Sequence, residues 1–162
     1  MDMSIRWKTG YQAKIDPGAA YKELEHIRST TGSITAIAVV DRAKSRRNPL
    51  HRVFEWDDTK AGEEWRLYQA RNMIRSLELE RSELPGKPYK AYSIVTTQPV
   101  APAVKSTRVY QSTEDALQDP VMRSEILGSA IRDALAFRRK YAALQELAAV
   151  FRVLDDLLEN YG

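Results

Sequence analysis

Cysteine is absent from the 162-residue chain. Its absence excludes disulfides, thiolate zinc sites and cysteine nucleophiles, and it fits a reducing compartment. Histidine occurs only twice, at His26 and His51, so no second imidazole lies near either one. No run approaches the roughly 18–20 apolar residues of a membrane span. The first residues, "MDMSIRWKTGYQ", are polar and lack the apolar stretch of a signal peptide. The phosphate-binding GxxxxGK[ST], the nucleotide-binding GxGxxG and the GxSxG of serine hydrolases are missing too. These absences set the expectation of a protein without catalytic residues, bound metal or cofactor.

What is present is ordinary for a globular protein: 43% hydrophobic and 29% charged residues. A chain of this length forms one domain, or one with an appendage, and can bury a core without covalent staples. The net charge is +3, too weak by itself to imply nucleic acid. The charge is clustered, however. "RAKSRRNPLHR" carries five basic residues, Arg42, Lys44, Arg46, Arg47 and Arg52, and no acid. A second group is Arg138, Arg139 and Lys140. An anionic partner would be sought first at these two places.

Punctuation along the chain sets the expected elements. Asp16-Pro17 opens a helix, since the carboxylate accepts from free N–H groups and proline at the first position loses no needed donor. Tyr21, Leu24 and Ile27 keep helical spacing, and Gly32 ends the helix in a left-handed conformation. Ser33 or Thr35 caps a second helix running to about Ser45 and burying Ala36, Val39, Val40 and Ala43. Two short helices around a glycine resemble a helix-turn-helix. Asn48-Pro49 breaks the second helix, with Leu50, Val53, Phe54 and Trp56 in an extended segment after it. A third helix is expected from about Thr59 to Arg75, burying Ala61, Trp65, Tyr68, Met73 and Ile74.

The period then changes. "RSLELER" alternates, with Leu77 and Leu79 on one face, and a Pro-Gly turn leads to "YKAYSIVTT". There Tyr92, Ile94 and Thr96 alternate against Ala91, Ser93 and Val95. "STRVYQS" adds a third short strand, and Thr113 caps "EDALQ". From Pro120 to residue 160 there is no internal proline. A continuous helix over that span would be about 60 Å long, with a coiled-coil-like seam at Phe137, Tyr141, Leu144, Ala148 and Phe151. The expected class is α+β, mainly α, with helix-turn-helix-like helices, a small antiparallel hairpin or three-stranded sheet, and a long C-terminal helix. The expected division is 1–75, 76–112 and 113–162, the last serving oligomerisation through Tyr141, Leu144, Phe151 and Leu154.

"PLHRVFEWDDTKAGEEW" gathers His51, Glu55, Asp57, Asp58, Glu63 and Glu64 around three large aromatics. Carboxylates with one histidine can bind a hard cation, and Glu55, Asp57 and Asp58 could serve a metal-dependent hydrolase. Neither HExxH nor a calcium loop is present. The simpler expectation is that Asp57 and Asp58 cap the third helix and that Phe54 and Trp56 set its entry angle. His51, within the basic run, is a further phosphate contact to consider.

This stretch, through Leu79, resembles a family of small, functionally uncharacterised phage and prophage proteins sharing a pattern like "LH..FEWDD..A...R..QAR..IR". Here the pattern comprises Leu50, His51, Phe54, Glu55, Trp56, Asp57, Asp58, Ala61, Arg66, Gln69, Ala70, Arg71, Ile74 and Arg75. "GSITAIAVVDRAKSRRNPLH" and "RKYAALQELAAVFRVLDDLL" look similar as well. Gly62 departs from the pattern where a better helix former is expected. The resemblance implies a phage-encoded protein acting in the cytoplasm of a bacterial host, and implies no activity.

Two functions follow as expectations. The first is a nucleic-acid-binding homo-oligomer, with Arg42, Lys44, Arg46, Arg47 and Arg52 on phosphates, which supplies affinity without sequence specificity. The second is a protein-binding module, such as a phage assembly factor or a modulator of a host machine, whose long helix is the interface and whose basic run is incidental.

Overall fold

The computed structural model describes residues 3–12, 14–58, 62–83, 85–97 and 107–161. The chain is α+β and mainly α. It divides into two compact units, Met1–Gln118 and Asp119–Gly162. The boundary lies at neither 75/76 nor 112/113. The strand β1 (Met3–Trp7) pairs antiparallel with β2 (Leu77–Arg81), so the first 75 residues cannot close without the next segment.

In the first unit, α1 (Pro17–Thr31) begins where Asp16 Oδ2 accepts from the Ala19 N–H at 2.9 Å. It stops at Gly32, whose φ of 79° lets its N–H reach the Arg28 carbonyl at 2.8 Å. Helix α2 (Ala36–Ala43) is capped by Thr35, which accepts from Ala38 at 3.1 Å. Its expected face, Ala36, Val39, Val40 and Ala43, is buried. Asn48 ends the link and starts a 3-10 turn over Pro49–Val53, with its side-chain oxygen on the Leu50 N–H. The segment expected to be extended is thus a turn of helix, and it drives Leu50, Val53 and Phe54 into the core.

Helix α3 (Glu63–Ser76) begins at Gly62 with no side-chain cap. The expected start at Thr59 and the core role of Ala61 lie outside the described residues. Asp58 does not cap this helix; it is exposed and ion-pairs with Arg66 at 2.7 Å. The buried face is Leu67, Ala70, Met73 and Ile74, not Trp65 and Tyr68, which are 51% and 50% exposed. Large aromatics at helical spacing fit either face; the i, i+3, i+6 series through Leu67 is the one that meets α2.

Strand β2 also pairs with β3 (Tyr89–Lys90) across the Pro-Gly turn, giving a three-stranded antiparallel sheet in the order β1-β2-β3. Leu77 and Leu79 face the core, opposite Trp7 and Ile5. Strand β4 (Tyr92–Thr97) pairs with β5 (Thr107–Ser112) in a second, two-stranded sheet. An isolated antiparallel bridge ties Ile34 to Tyr110, so β5 is anchored to the α1–α2 turn. The alternation expected in β4 is broken: Ala91, Tyr92 and Val95 are buried and Ile94 is exposed. Tyr92 is drawn inward by Glu25, which accepts its hydroxyl at 3.0 Å, and by Tyr21, whose ring centroid is 6.1 Å away. Helix α4 (Thr113–Gln118) follows directly; Thr113 is its first residue, with its hydroxyl 2.9 Å from that of Ser93.

The second unit is a helical hairpin. Helix α5 (Pro120–Lys140) is the long C-terminal helix, capped by Asp119. The chain then leaves helical geometry at Tyr141, makes a 3-10 turn over Gln145–Leu147, and returns as α6 (Ala148–Tyr161). A single helix from 120 to 160 does not form. No glycine or proline lies at the break, so propensity is overridden by packing: Phe137 meets Phe151 at 6.2 Å, and Arg138 pairs with Asp155 at 2.8 Å. The anticipated seam is folded upon itself, its two ends facing each other.

Candidate nucleic-acid interface

The five basic residues from Arg42 to Arg52 do not form one free surface. Arg42 is half-buried, and its Nε lies 2.6 Å from Glu23 of α1. Asn48 donates to the same carboxylate at 2.8 Å. Burial raises the pKa of Glu23, but the hydrogen bonds from Asn48 and Arg42 and the Arg42 charge outweigh this and hold it below the usual carboxylate range. Lys44 pairs with Asp41 at 2.6 Å in one exposed turn. That leaves Arg46, Arg47 and Arg52, all exposed and without an acidic partner among the described residues. The sequence treated the run as uniform because an ion-pair partner nineteen positions away leaves no local signal.

The acidic-aromatic stretch forms a structural knot. His51 Nδ1 sits 2.8 Å from the Ala43 carbonyl, and its ring stacks on Trp56 with centroids 4.8 Å apart. Trp56 Nε1 donates to the His51 carbonyl at 2.8 Å. Arg66 reaches over the Trp56 ring at 5.7 Å while binding Asp58. Glu55 accepts from the Asp57 N–H at 3.1 Å. These bonds fasten the end of α2 to the entry of α3. Among the described residues, no three histidine or acidic side chains are grouped to hold a metal ion.

A second basic surface was not singled out from sequence. Arg71 and Arg75 of α3 and Arg108 of β5 line a groove of about 480 Å3 beside Thr35 at the cap of α2, Ile37 of α2 and Ile94 of β4. All three arginines are exposed, and none has an acidic partner among the described residues. Trp65 and Tyr68 lie one turn further along α3, stacked on each other with centroids 5.2 Å apart. The usable signal was the spacing Trp65, Tyr68, Arg71, Arg75, which puts all four on one helical stripe.

In the second unit, Tyr141, Phe151 and Leu154 are half-buried within the hairpin, and Leu144 is exposed in the link. Arg138 is engaged by Asp155, while Arg139 and Lys140 are exposed and Lys140 lies over the Tyr141 ring at 5.1 Å. The most exposed apolar residues of α6 are instead Val150, Val153 and Leu157. They fall on one face at steps of three and four. No helix among the described residues is long and apolar enough to cross a membrane. The chain matches no protein-family model, no curated protein and no solved structure.

Proposed function

We propose that this is a phage-encoded, non-enzymatic nucleic-acid-binding protein that self-associates through its C-terminal helical hairpin. One observation carries the reading: none of residues 119–160 is buried. Two helices this apolar gain stability from removing that surface from water. The Val150–Val153–Leu157 stripe and the groove of Leu127, Ala134 and Leu157 fit a second hairpin, completing a four-helix arrangement. Assembly multiplies the exposed Arg46, Arg47 and Arg52 of each copy, which favours binding to a repeating phosphate backbone through avidity. The phage origin rests on the "LH..FEWDD" pattern, and a place in the host cytoplasm follows from that origin.

The test pairs light scattering over a dilution series with gel shifts at low and moderate salt. Oligomers, with DNA retention that falls as salt rises and is lost in R46A/R47A/R52A, support the reading. A monomer at all concentrations overturns the assembly half, and absence of retention at low salt overturns the nucleic-acid half. A second reading, a protein-binding module without nucleic-acid contacts, is favoured by the ion pairs of Arg42 and Lys44. It predicts oligomers without DNA retention.

A further inference from the structure

We infer that the outer face of α3 is a binding surface for single-stranded nucleic acid, with bases stacking on Trp65 and Tyr68 and phosphates held by Arg71, Arg75 and Arg108. The inference deepens the nucleic-acid reading by naming the form of the ligand and a second surface that contacts it.

Three observations converge. The first is the aromatic pair. Trp7 and Trp56 each donate their indole N–H to a carbonyl, of Ile15 and His51, and are partly buried. Trp65 and Tyr68 are half exposed and stack only on each other among the described aromatic rings. A flat π-face open to solvent is what an unpaired base requires, and stacking on it is independent of base identity. A duplex offers such faces only at its ends.

The second is the charge. Arg71 and Arg75 stand four apart on one helix, a spacing at which like charges repel. Their place in the last turns of α3 is explained in part by the helix dipole, and Arg75 donates to the Arg71 carbonyl at 3.1 Å. Arg108 has no such explanation: it arrives from β5, opposite Thr96, and enters the same groove. Three guanidinium groups from two elements, with no acid lining the groove, match a chain of phosphates. The nearest acids on these helices lie toward the other end: Glu63 and Glu64 at the start of α3, and Asp41, engaged by Lys44.

The third is the floor. Ile37 and Ile94 are 59% and 45% exposed where the arginines converge. An apolar floor under a cationic rim suits a base or sugar lying between two phosphates. From Trp65 to Arg75 the helix rises about 15 Å, so the strand would run along α3 from the aromatic pair into the groove.

The experiment uses the full chain and an oligothymidylate of about twenty nucleotides, longer than the ~4–16-nucleotide footprint of common single-strand binders. Anisotropy of the labelled strand reports affinity, and tryptophan fluorescence reports stacking. The expected result is quenching on titration that disappears in Trp65→Phe, with affinity falling at least tenfold in W65A/Y68A and again in R71A/R75A/R108A. Unchanged unfolding midpoints show that these exposed substitutions leave the fold intact. R46A/R47A/R52A runs beside them. If that variant loses binding while the α3 variants bind like wild type, the inference fails and the broader reading survives. If the wild type does not bind the strand at low salt, the inference fails; if it binds neither the strand nor the duplex, the broader reading fails as well. A duplex binding as tightly as the single strand, or polyglutamate producing the same Trp65 quenching, overturns the assignment; the latter makes the face an acidic-protein surface.

Discussion

The two units make opposite use of similar material. The first surrounds Leu24, Leu50, Met73 and Ile74 with three helices and a sheet until those side chains are fully buried. The second has equally apolar helices, yet its deepest residues are only half-buried. A layer needs another layer on its apolar side; α1, α2 and α3 find theirs within the unit, and α5 and α6 do not. The first unit is therefore expected to unfold at a midpoint independent of concentration. The second should gain stability as concentration rises.

The largest effect that would sharpen this contrast is in the first core. Leu24→Ala or Met73→Ala should cost about 2–5 kcal/mol, because a fully buried side chain leaves a cavity that the packed neighbours cannot fill. Urea denaturation followed by circular dichroism measures it, and a loss below about 1 kcal/mol would mean the core is looser than described. In the hairpin, Val153→Glu with Leu157→Glu should convert the oligomer to a monomer and abolish the concentration dependence of its helix signal. The first unit's transition should not move. Sedimentation velocity decides, and an unchanged oligomer would place the interface elsewhere.

A smaller effect is expected at Glu23. Its pKa is depressed in the folded state, so its stabilising contribution is complete above the ordinary glutamate pKa. That contribution is lost as pH falls through the lower folded value. Glu23→Gln should cost on the order of 1 kcal/mol near neutrality, allowing for the partial exposure of Arg42. It should also flatten the decline in stability on acidification. Unfolding midpoints of both proteins across the acid range test this, and parallel curves would refute it. The smallest change is at Asp58. Because it does not cap α3 and its ion pair with Arg66 is solvent-exposed on the Asp58 side, Asp58→Ala should shift stability by less than about 0.5 kcal/mol, where a capping role would cost about 1 kcal/mol. The urea midpoint separates the two.

Features written in neighbouring residues were legible in the sequence. Asp16-Pro17, Gly32 and Thr35 mark their boundaries because caps act over three residues. The α2 face and the Leu77–Leu79 alternation follow from periodicity. The strand β1 was hidden in a segment read as polar, although Met3, Ile5 and Trp7 alternate; what makes it a strand is its distant partner. The ends of the hairpin helices were not legible, since nothing local interrupts "YAALQEL". The basic run was visible as composition, but its division into ion-paired and free arginines depends on Glu23 in another helix. Arg108 joins Arg71 and Arg75 only through the pairing of β4 with β5.

The pairing of β1 with β2 also carries a consequence in time. Ser4 meets Glu80, 76 positions further along. At synthesis rates of about 5–20 residues per second, the first strand leaves the ribosome about 4–15 s before its partner does. Through that interval α1 and α2 can form locally, but the sheet that seals them cannot. Closing so long a loop adds to the entropic barrier. The nascent chain therefore passes through a stage in which a hydrophobic helical pair and an unpaired strand are both open to other molecules, and a chaperone or a pause in translation would act at that stage.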